Sequence, residues 1–291
     1  MRAALIVSLV LFVSAARATA IVTRHDLPEA RYVAHAANLP SYCRMNAPDG
    51  GGALIAQDWV ITAAHLAPEF RPGHRFTCGD ELLIVEAVVI HPAYRENIGR
   101  HDLALVKLAR PSRQQPSALA STPVSAGTIL NLIGHWQGGT GLRGVDPAAA
   151  KLLKGATNRV ATANERWIEV LFDRPDSPAS TALEGVSGGG DSGAPAYSID
   201  GGRTSIVGVG SRNRDLNENG VEQDYGDSDR YVPVAHYRGW IDRVVEGRDT
   251  AFHRLLTGYS EAVPRVLAAI AGLIALVAGL AFMKRHRRAR P

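Results

Sequence analysis

The chain has 291 residues, of which 46% are hydrophobic, and it contains 29 glycines and 16 prolines. This composition is that of a folded protein with one or two packed cores and many tight turns, and it excludes a low-complexity or repetitive chain. The formal net charge is +4, but the excess of basic residues lies at the two ends, with Arg2 and Arg17 at one and residues 284–291 at the other. Between them acidic side chains outnumber basic ones, so no basic face indicates a nucleic-acid partner.

Residues 1–20 have the pattern of a signal peptide. Arg2 precedes an apolar run over residues 3–16 that is too short for an ordinary membrane span, and Ala18-Thr19-Ala20 supplies the small residues before a cleavage site. We therefore predict that the chain is exported and cleaved after Ala20, so that the mature protein begins at Ile21.

The region that follows has the sequence pattern of an all-β protein. Its apolar residues at helical spacing, such as Trp240, Ile241 and Val244, occur only near its end and predict one short C-terminal amphipathic helix. Before that point the spacing of the strands and turns predicts a sandwich or a pair of barrels. The predicted strands, rich in Val, Ile and Leu, lie at residues 53–55, 59–62, 82–90, 103–108, 129–133, 167–172 and 206–209.

The end of the chain predicts membrane attachment. A globular domain over residues 21–250 is followed by a linker over residues 251–263, and residues 266–283 carry no charge and are just long enough to cross a hydrocarbon core. The basic tail 284–291 comes next, which predicts a transmembrane helix over residues 264–283 with a cytoplasmic tail and the domain on the periplasmic or extracellular side. A sorting signal that is removed after export, which would release the domain, and a buried core helix are the alternatives.

Three short motifs carry the residue types of nucleophilic catalysis. A serine hydroxyl needs a base to take its proton, and an imidazole is a useful base only when a third group fixes its orientation. The motifs are Thr62-Ala63-Ala64-His65, His101-Asp102-Leu103-Ala104-Leu105 and Gly190-Asp191-Ser192-Gly193. Their order of His, Asp and Ser and their local sequences resemble the chymotrypsin/trypsin family of serine peptidases, and the resemblance runs from Ile21 to about Val245. The opening residues are more similar to exported bacterial members of that family than to animal ones.

The resemblance implies both a fold and a mechanism. The fold would be two antiparallel β-barrels with the active site in the cleft between them. Ser192 would attack the scissile carbonyl, His65 would carry its proton, and Asp102 would hold His65. The activity implied is that of a serine endopeptidase that acts on protein or peptide substrates through an acyl-enzyme, without a cofactor.

The resemblance also implies a role for the new amino terminus. In that family a free Ile or Val α-ammonium folds inward and pairs with the Asp just before the nucleophile, which here is Asp191. The pair of Ile21 and Asp191 would orient the N–H groups of Gly190 and Ser192 into an oxyanion hole. The simpler alternative is that Ile21 only begins a strand.

The substrate pocket departs from the trypsin pattern. The family position that holds a pocket Asp is Val186, whereas Asp229 aligns with a pocket-facing Gly of relatives, so a carboxylate could enter from the opposite wall. Asp229 and the neighbouring Asp227 could equally be solvated loop charges, and a small or apolar side chain before the cut is the competing prediction. The strand beside the substrate backbone would be formed by Ser211, Arg212 and Asn213.

The chain has two cysteines, Cys43 and Cys78, and in an exported domain these predict a disulfide that ties two loops of the first barrel. The acidic run from Asp215 to Gly220 is similar to a calcium loop, but Gly226 stands where a bidentate Glu is needed, so we predict no metal site.

Two classes of function are compatible with this sequence. The first is an active, exported serine endopeptidase held at the membrane through residues 264–283. The second is a catalytically silent binding protein on a peptidase fold. The presence of His65, Asp102 and Ser192 together favours the enzyme.

Overall fold

The computed structural model describes residues 20–46, 49–70, 73–96, 99–149 and 151–248. Strands dominate this part of the chain, and the helices in it are short. The strands are β1 (Ile21–Thr23), β2 (Tyr42–Met45), β3 (Gly51–Ala56), β4 (Trp59–Thr62), β5 (Arg75–Cys78), β6 (Glu81–Ile90), β7 (Ala104–Leu108), β8 (Ala118–Leu119), β9 (Ile129–Gly134), β10 (Gly138–Thr140), β11 (Gly144–Asp146), β12 (Lys154–Ala163), β13 (Ile168–Leu171), β14 (Gly185–Val186), β15 (Pro195–Asp200), β16 (Arg203–Arg214) and β17 (Ser228–Pro233).

The first barrel closes in the order β2-β3-β4-β7-β6-β5, with β2 paired back onto β5. All of its pairings are antiparallel. The first half of β6 alternates buried and exposed residues, as a strand with one wet face does. In contrast, all four residues of β4 are buried, because this strand has the barrel core on one side and protein on the other.

The second barrel is also six-stranded and antiparallel. Its ring runs β15-β9-β12-β13-β17-β16 and closes through the β15–β16 pairing, while β8 adds to β16 in parallel. Its core is formed by apolar side chains from several strands, including Leu130, Val160, Val170 and Tyr231. The prediction of two antiparallel barrels is therefore confirmed.

A small four-stranded sheet holds the segment that begins at Ile21. Its order is β11-β10-β1-β14, with β1 parallel to β10 and antiparallel to β14. Ile21 and Val22 in β1 are fully buried and belong to the core cluster of the second barrel. Helix α1 (Glu29–Ala36), which the sequence pattern did not predict, buries Tyr32 and Ala36.

The predicted disulfide is present between Cys43 and Cys78. It joins neighbouring strands β2 and β5, where the two residues are direct cross-strand partners, and not two loops as expected. The β2–β5 pairing closes the first barrel, so the disulfide links the two strands at that closure.

The described chain ends with the predicted amphipathic helix, α2 (Arg238–Val245). The chain divides into two compact units between Arg238 and Gly239, so almost all of α2 belongs to the second. Among the described residues, no helix has the length and apolar character needed to cross a membrane. The predicted signal peptide up to residue 19, the linker, the helix over residues 264–283 and the basic tail lie outside the described residues.

Candidate active site

His65 and Asp102 come together because of the register between two strands of the first barrel. β4 and β7 are antiparallel partners, with Thr62 opposite Ala104, so the residues just after β4 and just before β7 meet at one barrel end. His65 lies in the 3-10 helix Ala64–Glu69 that follows β4. Its Nδ1 lies 2.8 Å from Asp102 Oδ2, and its backbone N–H donates to Asp102 Oδ1 at 2.8 Å.

Asp102 has a third hydrogen-bond donor. The hydroxyl of Ser211, at the far end of β16 in the second barrel, donates to Asp102 Oδ2 at 2.5 Å. Burial acts to raise the pKa of Asp102, but the hydrogen bonds from His65 and Ser211 outweigh it, so its pKa lies below the ordinary value. The site therefore holds a buried, ionised carboxylate against one ring nitrogen of a partly exposed histidine.

The loop of Ser192 is attached to the same end of the first barrel. The backbone N–H of Gly51 in β3 donates to the carbonyl of Ser192 at 2.8 Å. Gly193 has a positive φ of 80°, and a Cβ at this position would collide with Gly51 O and Thr62 Oγ1, so only glycine fits. This close approach brings the Ser192 loop against the segment that leads to His65. The Ser192 hydroxyl has no hydrogen-bond partner among the described residues.

Asp191 lies beneath this loop and is fully buried. Its carboxylate accepts hydrogen bonds from the backbone N–H groups of Gly188 at 2.9 Å, His135 at 2.8 Å and Trp136 at 3.0 Å. The backbone N–H of Ile21 also donates to it. Burial raises the pKa of Asp191 to about 6, although these hydrogen bonds act to lower it.

Two backbone N–H groups beside the serine have no acceptor. Within the described residues, no carbonyl or side chain accepts a hydrogen bond from the N–H of Gly190 or of Ser192. Gly190 has a positive φ of 88°, and a side chain there would press on Trp136 and Asp49. Unpaired N–H groups at such a turn are the donors that an oxyanion hole requires.

A small pocket opens beside Ser192. Its walls are residues 187–192 on one side, Gly210 to Asn213 on another and Glu222 with Gln223 on a third. Ser211, Arg212 and Asn213 thus line the same pocket as Ser192. Val186 lies in the core next to β1, so the pocket wall begins with Ser187.

Asp229 is a buried strand residue and not a solvated loop charge. It lies in β17 and is only 2% exposed. One carboxylate oxygen accepts hydrogen bonds from the Ser187 N–H and hydroxyl, both at 2.6 Å, and from the Tyr231 hydroxyl at 3.3 Å. The other oxygen, Oδ1, is buried without a partner. Burial raises the pKa of Asp229 to about 6.

Asp227 is buried as well, so the interpretation of Asp227 as a solvated loop charge is also wrong. It binds the backbone N–H groups of Leu216 and Gln223 and so fixes the loop that ends near the pocket. The acidic loop from Asp215 uses its oxygens on its own backbone and amide groups. No cluster suited to a metal ion occurs in the described part of the chain.

Sequence reasoning missed two contacts that shape the site. Ser211 was assigned to the substrate strand, but its hydroxyl binds Asp102. Ser187, which joins Asp229 to the pocket wall, was not singled out. Neither contact has a local sequence signal, because each joins residues far apart in the chain.

The two barrels and the residues between them define a serine hydrolase of the two-barrel class. Comparison with known proteins gives the same class. The family model described as Trypsin matches residues 33–241. The chain is 26% identical to Trypsin-4 of Rattus norvegicus over 212 residues, which are 67% of this chain and 79% of that protein. The chain belongs to the trypsin family of serine peptidases.

Two further relatives differ in the extent of the match. Chymotrypsin-like elastase family member 1 of Homo sapiens is 24% identical over 219 residues, covering 67% of this chain and 80% of that protein. Trypsin-3 of Homo sapiens is 35% identical, but over 97 residues that are 30% of this chain and 32% of that protein.

Proposed function

We propose that this protein is an exported serine endopeptidase that hydrolyses peptide bonds through an acyl-enzyme. The observation that carries the proposal is the hydrogen-bonded pair of His65 and Asp102, located where the loop of Ser192 packs against the first barrel. Membership of the trypsin family supports the same reaction class and protein or peptide substrates.

Each residue has a defined step in this mechanism. Ser192 Oγ attacks the carbonyl carbon of the scissile bond while His65 Nε2 takes the hydroxyl proton. Asp102 holds the imidazole through Nδ1 and stabilises the imidazolium. His65 then gives the proton to the leaving amine, and a water molecule repeats the sequence to release the acid and regenerate Ser192.

The transition states need stabilisation of a developing oxyanion. The N–H groups of Gly190 and Ser192 are suited to this because they have no acceptor among the described residues. Removing one such donor typically costs about 3–4 kcal/mol of transition-state stabilisation. The Ser192–His65 hydrogen bond is expected to form or tighten when substrate binds, as is common for catalytic contacts.

The alternative function is a catalytically silent binding protein on the same fold. Such proteins resemble the peptidases but have lost residues of the catalytic triad. Since His65, Asp102 and Ser192 are all present and the histidine–aspartate pair is hydrogen-bonded, the enzyme is the better proposal.

We further propose that removal of the signal peptide itself creates the active terminus. The backbone N–H of Ile21 donates a hydrogen bond to the Asp191 carboxylate. Cleavage after Ala20 would replace this amide with an α-ammonium at the same position. Ala20 and Ile21 are both fully buried, so the cut has to precede folding. A helix over residues 264–283 would then hold the domain at the membrane until any C-terminal processing.

For the residue before the cut, we propose a basic side chain. The Oδ1 atom of Asp229 is a buried acceptor without a partner, next to the pocket residue Ser187. A buried acceptor that lacks a hydrogen bond is costly, and a guanidinium or ammonium would supply one. The competing preference, for a small or apolar residue, rests on Val186 at the position where trypsin-like enzymes carry Asp.

Labelling with a fluorophosphonate, which reacts with activated serines, tests the central proposal. The full-length protein is expressed with export, purified and labelled beside Ser192→Ala and His65→Ala. We expect wild type to be labelled and both variants to lose the label. Folding of each is checked by circular dichroism. A folded wild-type protein that takes no label would shift the assignment to the binding role.

A further inference from the structure

The strand edge beside Ser192 is available to a substrate. β16 pairs with β15 only as far as Val209, while its other edge stays paired with β17 up to Arg214. Residues 211–213 therefore have no strand partner on the β15 side within the described chain. An extended peptide can pair with such an edge through its backbone, and its side chains then meet the residues around that edge.

The side chain of Arg212 reaches across the cleft from this edge. A Cβ on Gly99, in the loop that precedes Asp102, would collide with the Arg212 guanidinium. Gly99 also has a positive φ of 56°, a conformation that favours glycine, and the lack of a side chain there lets the loop pass close to the guanidinium. On its other side, the Arg212 guanidinium lies 5.9 Å from the ring centre of the buried Trp167. Arg212 is thus held between the two barrels while it stays exposed.

The surroundings of Arg212 are positively charged. Burial lowers the pKa of His101, and Arg100, Arg95 and Arg166 lower it further, which locates these three cations around the same loop. Neither Arg212 nor Arg100 has a salt-bridge partner among the described residues.

The nearby carboxylates do not cancel this charge. Glu169 already binds Arg230, Arg214 and Ser228. Asp102 and Glu96 also lie close by, since both act on the pKa of Tyr94 together with Arg212. Asp102 is already bound by His65 and Ser211, and Glu96 forms no salt bridge with Arg212 or Arg100 among the described residues. Arg212 and Arg100 therefore have no salt-bridge partner in the described part of the chain, and they lie next to the free strand edge of residues 211–213, which borders the pocket proposed for the residue before the cut.

We propose that Arg212, supported by Arg100, is a specificity-determining residue that binds an acidic side chain of the substrate upstream of the residue that enters the pocket. The proposal rests on the proposed peptidase function, because it assumes that the substrate pairs with residues 211–213. A guanidinium fixed between Gly99 and Trp167 is preorganised to donate to a carboxylate, so it loses little freedom on binding. Favoured substrates would be acidic upstream of the cut.

Matched peptides test this proposal. The full-length protein is assayed with fluorogenic peptides that have Asp or Glu upstream, or the isosteric Asn or Gln, with the residue before the cut kept constant. We expect kcat/KM to be roughly five- to tenfold higher for the acidic peptides, and this preference to shrink at high ionic strength. Arg212→Gln should bring the ratio of acidic to amide peptides close to one, and Arg212→Glu should invert it.

Arg203→Gln is the matched control, because Arg203 is an exposed arginine at the other end of the same strand and should leave the ratio unchanged. Binding of labelled acidic and amide peptides to Ser192→Ala, with and without Arg212→Gln, is measured in parallel. An acidic preference in binding without any hydrolysis would overturn the peptidase proposal alone. Equal binding and equal hydrolysis of the two peptide series, or a preference that survives Arg212→Gln, would overturn the role of Arg212.

Discussion

At the scale of single residues, the polar groups of the site are explained by burial and by their partners. Asp102, Asp191 and Asp229 are all buried carboxylates. Asp102 has a pKa below the ordinary value because His65 and Ser211 bind it. Asp191 and Asp229 have raised pKa values because burial outweighs their hydrogen bonds. The same residue type therefore has different pKa values, which its surroundings set.

Asp229 gives a direct prediction for substrate choice. Asp229→Asn should reduce kcat/KM for an Arg peptide about a hundredfold, because a buried charge partner is lost, and should change an Ala or Phe peptide only a few-fold. Steady-state kinetics with the three peptides would measure this. Unchanged cleavage of the Arg peptide in a folded variant would refute the carboxylate pocket and favour the small or apolar preference.

The same carboxylate predicts a pH dependence. Because the pKa of Asp229 is raised to about 6, its charged form is lost as pH falls through that value. The ratio of Arg to Ala hydrolysis should therefore fall below about pH 6, and the use of a ratio removes effects of pH that are common to both substrates. In Asp229→Asn the ratio should not depend on pH.

At the scale of elements, several strands and one helix were not predicted. β12 has mostly polar residues and small side chains, so it lacks the apolar run that marked the other strands. β15 begins with a proline, which usually argues against a strand, but Pro195 occupies the first position, where proline is tolerated. Helix α1 is only eight residues long, and Tyr32 and Ala36 are its buried residues, so its apolar pattern is too short to stand out in the sequence.

The disulfide contributes to the stability of the first barrel. Cys43 and Cys78 are separated by 35 residues and join β2 to β5 where the first barrel closes. The double variant Cys43→Ala/Cys78→Ala should lose about 3–4 kcal/mol of stability, mainly because its unfolded chain gains freedom.

Thermal unfolding of the oxidised protein and of the double variant would measure this loss, with a fall in Tm of roughly 10 °C expected. The wild-type protein under reducing conditions is the control and should match the variant. A variant with wild-type Tm would mean that strand pairing alone closes the barrel.

At the scale of the whole molecule, the site is assembled from both barrels and from the segment that begins at Ile21. His65 and Asp102 belong to the first barrel, and Ser211 to the second. β1 inserts between β10 and β14 and brings Ile21 to Asp191. Ile21 has a positive φ of 56°, which is strained for a β-branched residue and marks a point where the surrounding fold dictates the backbone.

This arrangement predicts the effect of the amino terminus on activity. A protein that begins at Ile21 should be fully active, whereas one with a single additional residue before Ile21 should lose about a hundredfold or more in kcat/KM, since no ammonium could pair with Asp191 and orient the oxyanion donors.

Amino-terminal sequencing and kinetics on both forms would test this. Active-site titration reports the fraction of competent enzyme and separates misfolding from a misaligned site. Full activity with the extended terminus, or a natural start elsewhere, would show that Ile21 only begins a strand.

The sequence by itself determined the motifs of His65, Asp102 and Ser192, the all-β class, the cysteine pair and the C-terminal amphipathic helix. These features are encoded locally, by residue type, spacing and apolar periodicity. Only the tertiary structure decided that Ser211 binds Asp102, that Asp229 is buried behind Ser187 and that Arg212 lies over Gly99. Each of these contacts joins residues from distant parts of the chain, and its geometry exists only after the two barrels have closed and packed.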